Sequence, residues 1–176
     1  MGDLKIIIVS GLPGSGKSTI AERIASNLHV SIFSADPIES SILKTKIKRN
    51  FQTSLAAYFV IQTLASEQLK LGMSVIIDAV SPVNEARSMW RELAEQYKAQ
   101  LIIIECIVPE EQHKRRLQNR VRKLHGIPEV TWEDVEKRKK EYMPLEEERL
   151  ILDTSQTNET NLVSVLNYIN GVKPAL

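Results

Sequence analysis

Residues 5–18 read Lys-Ile-Ile-Ile-Val-Ser-Gly-Leu-Pro-Gly-Ser-Gly-Lys-Ser, and this stretch decides the fold. Its first six residues are a nearly continuous apolar run, which is typical of a strand buried on both faces in a parallel sheet. Residues 11–18 fit the pattern G-x-x-x-x-G-K-[ST] of the phosphate-binding P-loop. Because the pattern follows a predicted strand and opens a predicted helix, it stands in the structural context that a P-loop requires.

The spacing of the loop has a chemical reason. Its glycines allow the backbone to curl until successive N–H groups point at one phosphate, and the following helix presents its positive end to the same anion. Lys17 is expected to reach the β- and γ-phosphates of a nucleotide, and the Ser18 hydroxyl is expected to bind Mg²⁺. ATP and Mg²⁺ are therefore the predicted cofactors, with GTP open as an alternative donor. The predicted nucleotide-binding residues of the loop are Gly11, Leu12, Pro13, Gly14, Ser15, Gly16, Lys17 and Ser18.

The rest of the chain alternates between short apolar runs and helical patterns, in the order βαβαβαβαβ. This order predicts an α/β fold in which a five-stranded parallel sheet carries helices on both faces. The length of 176 residues suits one domain, which we place over residues 1–176. The expected strands are 5–10, 30–34, 74–78, 100–107 and 150–153, and the expected helices are 17–28, 54–71, 82–97 and 109–124.

Two connections, after the second and the fourth predicted strand, are longer than one helix requires, at about 40 residues each. Extra chain at such places is either decoration or a cover over a ligand, and the P-loop favours a cover. We expect residues 37–53 to form an acceptor-side segment. We expect residues 115–142 to form a lid that closes over the nucleotide and excludes water.

The overall charge argues against one class of function. Lys and Arg total 23 against 22 Asp and Glu, and this net charge of +1 is too small for a global field that attracts nucleic acid or an acidic membrane. The single cysteine, Cys106, excludes an internal disulfide framework and fits a reducing, cytoplasmic compartment. No run approaches the roughly 20 apolar residues of a membrane helix. We therefore predict a cytoplasmic monomer or small homo-oligomer.

Two carboxylates lie at the predicted carboxyl ends of strands, which is the sheet edge where open α/β folds bind ligands. Asp36 follows the second strand and is the candidate catalytic residue that orients an acceptor hydroxyl or takes its proton. The alternative is that Asp36 only caps a short helix begun by Pro37. Asp78 ends the third strand as a Walker-B aspartate does, and with Ser18 it is predicted to hold Mg²⁺. The alternative is a polar residue that merely leaves the core.

Two basic clusters follow these carboxylates in the chain. Arg116 and Arg120 are four residues apart in a predicted helix and so share a face, where two guanidinium groups suit the clamping of phosphate oxygens during transfer. Arg138 is a weaker candidate for the same task. The other cluster either attracts an acceptor that carries phosphate or forms a solvated helix face; it comprises Lys44, Lys46, Lys48 and Arg49.

On these residues the chain resembles the small P-loop kinases. The resemblance is to the branch that holds polynucleotide kinases and phosphotransferases of the zeta-toxin and chloramphenicol phosphotransferase types. Two departures from that branch concern the acceptor: Ser34 stands where some small-molecule kinases carry a second carboxylate, and the residues after Asp36 lack the arginine typical of polynucleotide kinases. A nucleic-acid acceptor is therefore less favoured. The matching stretches are 11–19, 34–36, 75–78, the Arg116 and Arg120 pair, and 150–154.

The resemblance implies further details of fold and site. The strand order would be 2-3-1-4-5, with a helical lid between the fourth and fifth strands. Thr19 would join the nucleotide-binding residues, and the loop that begins at Asp153 and Thr154 would border adenine. Arg120 would contact the nucleotide as a lid arginine. The implied catalytic residues are Lys17, Asp36, Arg116 and Arg120.

The leading prediction is an ATP- and Mg²⁺-dependent kinase that moves the γ-phosphoryl group to a hydroxyl. The acceptor would belong to a small molecule, a nucleotide or a nucleic-acid end, and it can be anionic. The alternative is a nucleotide-binding regulatory ATPase or switch without a phosphoryl acceptor. A nucleic-acid-binding module that uses the two basic clusters is a third hypothesis, and the near-zero net charge disfavours it.

Overall fold

A computed structural model describes residues 4–80, 84–141 and 147–171 of the chain. Five parallel strands form one sheet in the order β2-β3-β1-β4-β5. This architecture confirms the predicted fold class and strand order, and no strand end lies more than one residue from its predicted position. The strands are β1 (Lys5–Ser10), β2 (Ser31–Ser34), β3 (Val75–Asp78), β4 (Gln100–Ile107) and β5 (Leu150–Asp153).

Helices cover both faces of the sheet, which explains why the central strand is apolar at successive positions. In β1, Ile6 and Ile8 pack on one side with residues of the third and fourth helices, whereas Ile7 and Val9 pack on the other with residues of the first and seventh. The helices are α1 (Lys17–Leu28), α2 (Ala35–Leu43), α3 (Phe51–Lys70), α4 (Asn84–Tyr97), α5 (Glu110–Gln118), α6 (Trp132–Glu141) and α7 (Asn158–Ile169). Nowhere in the described ranges does a helix combine the length and apolar character needed to cross a membrane.

One helix is shorter than the sequence pattern predicts. The pattern continues to residue 124, but α5 ends at Gln118 and Asn119 follows it. The Arg120 N–H still bonds to Leu117, whereas the Arg122 N–H bonds to the Glu129 carboxylate at 2.7 Å, so the backbone has left the helix. The prediction that Arg116 and Arg120 share a helix face is therefore wrong. Residues 82, 83 and 142, which the predicted α4 and lid include, lie outside the described residues.

The register of the sheet brings three chain segments to one edge. Asp78 at the end of β3 pairs with Ser34 of β2 on one side and with Val9 of β1 on the other. The loop after β1 and the start of α2 therefore emerge beside Asp78. This is the carboxyl edge at which parallel sheets present their ligand sites.

Candidate active site

The loop between β1 and α1 has a backbone that only glycine adopts easily at three positions, two of which lie closest to other elements. Gly11 has φ 142° and Gly14 has φ 88°. A Cβ at Gly11 would lie 2.5 Å from the Cys106 carbonyl oxygen, and one at Gly14 would lie 2.9 Å from Leu117. The loop is thus pressed against β4 and α5, which fixes its curl.

Hydrogen bonds made by Thr154 and Arg116 hold the P-loop backbone in place. The Thr154 hydroxyl donates to the Ser15 carbonyl at 2.6 Å and accepts from Arg116 Nη1 at 2.7 Å. Arg116 Nη2 donates to the Thr154 carbonyl at 2.6 Å, and the guanidinium lies beside Gly16. Arg116 and Thr154, both predicted from the sequence, thus meet at the back of the loop. Beside them the Asp153 carboxylate accepts from the Ser155 N–H at 2.9 Å, and this bond lowers the pKa of Asp153.

His113 is a functional candidate that the sequence did not reveal. It is buried on α5, and its Nε2 donates to the Pro13 carbonyl at 2.7 Å. The Trp132 ring of α6 packs edge-on against the imidazole, with 5.4 Å between ring centroids. Burial lowers the pKa of His113, although the bond to Pro13 acts in the opposite direction. A side chain of α5 therefore links the P-loop backbone to the start of α6, and no residue spacing signals this contact.

The end of β3 has the properties of a cation site. Asp78 is buried; its Oδ2 accepts from the Ser34 hydroxyl at 3.2 Å, while its Oδ1 has no hydrogen-bond partner among the described residues. Lys17 and Ser18 line the same cavity as Asp78. A buried carboxylate oxygen left without a donor suits a hard cation that prefers oxygen ligands. Ser18 and Asp78 therefore fit the predicted Mg²⁺ as its protein ligands.

Arg120 faces the same cavity from the segment after α5. Its Nη1 is buried and has no hydrogen-bond partner within the described part of the chain. Burial, and then the neighbouring positive charge of Arg122, lower the pKa of Arg120. A buried guanidinium with a free donor is costly to maintain unless an anion completes it. Arg120 and Lys17, the latter only 6% exposed, line one cavity, and two cations close to one space suit a phosphate group.

Asp36 is the second residue of α2 and lines the cavity opposite the P-loop. The N-cap residue of α2 is Ser34, so Asp36 is not the capping residue of this helix. Its carboxylate forms a short ion pair with Arg122, which also contacts Glu129 at 3.3 Å. Arg122 was not a sequence candidate, because its only visible signal is membership in a basic run.

Glu39 is a second residue that sequence analysis missed. It is buried one helical turn after Asp36, and Arg49 donates to both of its carboxylate oxygens at 3.2 Å. The Thr53 and Ser54 hydroxyls donate to Glu39 Oε1 at 2.9 and 2.7 Å. Burial raises the pKa of Glu39, but these hydrogen bonds outweigh it and the net shift is downward. The sequence did contain one signal: Glu39 follows Asp36 by three residues, a spacing that places two side chains on the same face of a helix.

These residues surround one cavity of about 790 Å³. Lys17, Ser18, Asp78 and Arg120 form one end, which we call the phosphoryl end. The other end, which we call the acceptor end, lies beyond Asp36 and is lined mainly by α2, α3 and Leu124. Of the predicted basic cluster, Arg49 lines the cavity and the three lysines are exposed. The larger apolar and aromatic side chains of the acceptor end are Phe51, Leu55, Tyr58, Phe59, Met89 and Leu124.

Comparison with known proteins agrees with this geometry. A protein of Aeropyrum pernix named "Probable adenylyl-sulfate kinase" is 26% identical over 181 residues, which cover 95% of this chain and 93% of the relative. The bifunctional polynucleotide phosphatase/kinase of Schizosaccharomyces pombe is 30% identical over 76% of this chain, but the match spans only 29% of the larger protein. The APS kinase of Mycobacterium tuberculosis, solved with AMPPNP and APS, superposes with a TM-score of 0.72 at 19% identity and covers 97% of this chain and 99% of that chain.

A family model described as AAA domain matches residues 6–145. The match contains β1 except for Lys5, all of β2 to β4, the P-loop, Asp36, Asp78 and Arg120. It extends over more than half of the chain. The chain therefore belongs to this AAA domain family, in its branch of P-loop kinases.

Proposed function

We propose that the protein is an ATP- and Mg²⁺-dependent phosphotransferase that moves the γ-phosphoryl group to a hydroxyl of a small molecule. The observation that carries the proposal is one cavity lined by Lys17, Asp36, Asp78 and Arg120, in which a buried oxygen of Asp78 and the buried Nη1 of Arg120 have no hydrogen-bond partner among the described residues. In the transfer, the bond from the γ-phosphorus to the β,γ-bridging oxygen breaks and a bond to the acceptor oxygen forms. ADP keeps the electron pair of the broken bond, and the hydroxyl proton passes to Asp36 or to solvent.

The residues of the phosphoryl end have separate tasks in this proposal. Lys17 and the amides of residues 11–16 hold the phosphates of ATP. Ser18 and Asp78 hold Mg²⁺, which when bound offsets phosphate charge. Arg120 stabilises the charge on the oxygens of the transferring group, because its free donor already lies in a site with little water.

Arg116 acts through the loop in this proposal. Both of its terminal nitrogens are engaged with Thr154, so we assign it the task of holding the P-loop in shape. The turn at Asp153 and Thr154 contacts the P-loop through the Ser15 carbonyl, and we place the adenine next to this turn. Thr19, exposed in the first turn of α1, remains a proposed nucleotide contact.

The acceptor side depends on Asp36. We propose that its carboxylate orients the acceptor hydroxyl or takes its proton, while Arg122 fixes the carboxylate in place. Segment 37–53 and the lid 115–142, of which residue 142 lies outside the described structure, would close the cavity around the acceptor. The Ser40 hydroxyl already donates to the His125 carbonyl at 3.1 Å, which joins the two segments.

The names of the two sequence relatives, an adenylyl-sulfate kinase and a polynucleotide phosphatase/kinase, support phosphoryl transfer as the reaction class. A cavity of about 790 Å³ has the size of sites that hold small ligands, which favours a small acceptor over a nucleic-acid end. The buried Cys106 thiol, whose pKa burial raises to about 12, is unreactive and suits the cytoplasmic location that we propose.

The test is a screen for label transfer from γ-labelled ATP to metabolites, nucleosides and 5′-hydroxyl oligonucleotides. Transfer that requires Mg²⁺ and is lost in Lys17→Ala would support the proposal. The competing hypothesis, a regulatory ATPase, predicts phosphate release at the same rate with and without every acceptor. That result, together with no labelled product, would refute the kinase assignment.

A further inference from the structure

The two ends of the cavity differ in the charge that remains available to a ligand. Lys17, Arg49, Arg120, Arg122 and Arg138 line the cavity as cations. The carboxylates that line it are equal in number, namely Glu22, Asp36, Glu39, Asp78 and Glu141. The described walls are therefore electrically balanced before any ligand enters. An acceptor with several negative charges would need cations beyond those that hold ATP.

The arginines of the acceptor end are largely committed to carboxylates. Arg49 uses Nε and Nη2 on Glu39, and Arg122 uses its guanidinium on Asp36 and Glu129. An anion would have to displace these pairs, which costs the hydrogen bonds of each carboxylate. Arg138 of α6 is the acceptor-end arginine for which no ion pair is found among the described residues. Glu141 lines the same cavity and also has no ion pair among the described residues, so the acceptor end offers at most one uncommitted cation to a negative charge on the ligand.

The part of α3 that lines the acceptor end presents an apolar face. Phe51, Leu55 and Phe59 are four residues apart and form one face of α3, with exposed fractions of 74%, 37% and 51%. The opposite face of α3 is buried in the core through Ala57 and Ile61. Removing such side chains from water is favourable in proportion to the apolar area covered. A ligand that presents a flat apolar surface to this face would supply that cover.

This apolar face is held in place before any ligand binds. Asn50 and Thr53 cap α3 reciprocally, and Thr53 and Ser54 donate to the buried Glu39 of α2. The first turn of α3, which carries Phe51 and precedes Leu55, is therefore fixed to the helix that carries Asp36. A helix that is already fixed in position loses little backbone freedom on binding, so its contacts contribute more fully to affinity.

From these observations we infer that the acceptor is an alcohol that carries an aromatic or similarly flat apolar body and at most one negative charge. The inference rests on the proposed function, because it concerns the molecule whose hydroxyl receives the phosphoryl group. It differs from what the name of the Aeropyrum pernix relative suggests, since adenylyl sulfate carries two negative charges. The apolar body would lie on the face of α3, and the single charge would meet Arg138.

The first experiment compares matched probes by calorimetry on the protein loaded with Mg²⁺ and AMPPNP. Mandelate and gluconate are both hydroxy monoanions, and only mandelate has a ring. Adenosine and AMP share a ring system and differ in charge. We expect mandelate to bind at least about tenfold more tightly than gluconate, and adenosine at least about tenfold more tightly than AMP. Gluconate binding as tightly as mandelate or more tightly, or AMP binding as tightly as adenosine or more tightly, would overturn the inference.

A second measurement separates this inference from the kinase proposal. The same probes are incubated with γ-labelled ATP and Mg²⁺. Preferred binding of mandelate and adenosine without labelled product would preserve the acceptor class and contradict the kinase function. A labelled product of gluconate or AMP in preference to mandelate and adenosine would preserve the kinase function and overturn the acceptor class.

The α3 face is tested by Phe51→Ala and Phe59→Ala. We expect each to weaken the tighter of mandelate and adenosine about tenfold and to leave ATP affinity within about twofold. Phe51→Leu should retain most of the affinity. Val163→Ala shortens a similarly exposed apolar side chain of α7 that does not line the cavity. It should change neither the probe affinity nor the ATP affinity. Unchanged probe binding in both alanine variants would refute the role of this face.

Discussion

The P-loop and the outward face of α3 lie at opposite ends of one cavity and are built in opposite ways. In the loop, the Pro13 and Ser15 carbonyls accept hydrogen bonds from His113 and Thr154, so neighbouring elements hold its backbone. On α3, Phe51 and Phe59 stand more than half exposed. Hydrogen bonds fix the carbonyls of the loop, whereas the described residues leave much of the apolar surface on the outward face of α3 uncovered.

The difference indicates how such a site separates its two substrates. The triphosphate has the same shape in every turnover, so a rigid cradle recognises it well and contributes electrostatic stabilisation without reorganisation. In the proposed function, contacts on α2, α3 and residues 115–141 would select the acceptor, and these contacts could vary without disturbing the loop. Changes at the phosphoryl end should therefore affect all acceptors, and changes at the acceptor end should affect only some.

Lys17→Ala should have the largest effect. Removal of a preorganised cation from the phosphoryl end is expected to lower kcat/KM by about a thousandfold and to weaken ATP binding. Steady-state kinetics and calorimetry with ATP measure the two effects. Lys70→Ala, which breaks an exposed pair with Glu67, should leave both unchanged. Normal ATP affinity together with normal transfer would remove Lys17 from the mechanism.

Arg120→Ala and Arg116→Ala should separate chemistry from support of the loop. Arg120 has a free buried donor, so its loss should lower kcat by about a hundredfold with little change in melting temperature. Arg116 is bonded to Thr154, so its loss should lower the melting temperature and raise the KM for ATP. The reverse pattern, with Arg116→Ala losing kcat at constant stability, would exchange the two assignments.

Asp36→Asn tests the acceptor side of the comparison. The amide keeps the shape but cannot take a proton, so kcat should fall by roughly tenfold to a thousandfold while the KM for ATP stays within about twofold. Transfer kinetics with a screened acceptor give both values. Glu67→Gln on the exposed surface of α3 is the matched control. If the Asn variant turned over at the normal rate, Asp36 would have no catalytic part.

Much of the fold was predictable because burial leaves a direct trace in the sequence. Runs such as Ile6–Val9 and Val75–Ile77 are apolar on successive residues since helices cover both faces of the sheet. The P-loop was equally readable, because its chemistry requires glycines and a lysine at fixed spacing. The prediction that Asp78 lies at the carboxyl edge of the sheet followed from its place at the end of such a run.

The parts that were not predictable depend on contacts between distant residues. The helix pattern of the sequence continues past Gln118. In the structure, however, the Arg122 N–H donates to the Glu129 carboxylate, seven residues further along the chain, instead of to a carbonyl of the preceding helical turn. His113 meets Pro13 across 100 residues of sequence, and Arg122 meets Asp36 across 86. Local periodicity contains no information about such pairs, so the helix was predicted to continue to residue 124 instead of ending at Gln118.

His113→Gln should have the smallest effect and tests the support of the loop. The amide retains a donor but not the fit against Trp132, so the KM for ATP should rise roughly two- to tenfold with little change in kcat. His113→Phe, which lacks the donor, should raise it further. A change in kcat alone, with normal ATP binding, would contradict this positioning role.

The lowered pKa of His113 predicts that the stability of the folded protein depends on pH. Burial holds the pKa of His113 below its ordinary 6.5, so the folded protein prefers the neutral ring more strongly than the unfolded chain does. The associated stability is present above pH 6.5 and is lost as the pH falls through the folded-state pKa. Urea denaturation at about pH 7.5 and 5.5 should therefore show a larger loss of unfolding free energy in the wild type than in His113→Gln. An equal loss in both proteins would mean that other groups cause the acid sensitivity and that the Pro13 contact tolerates a protonated ring.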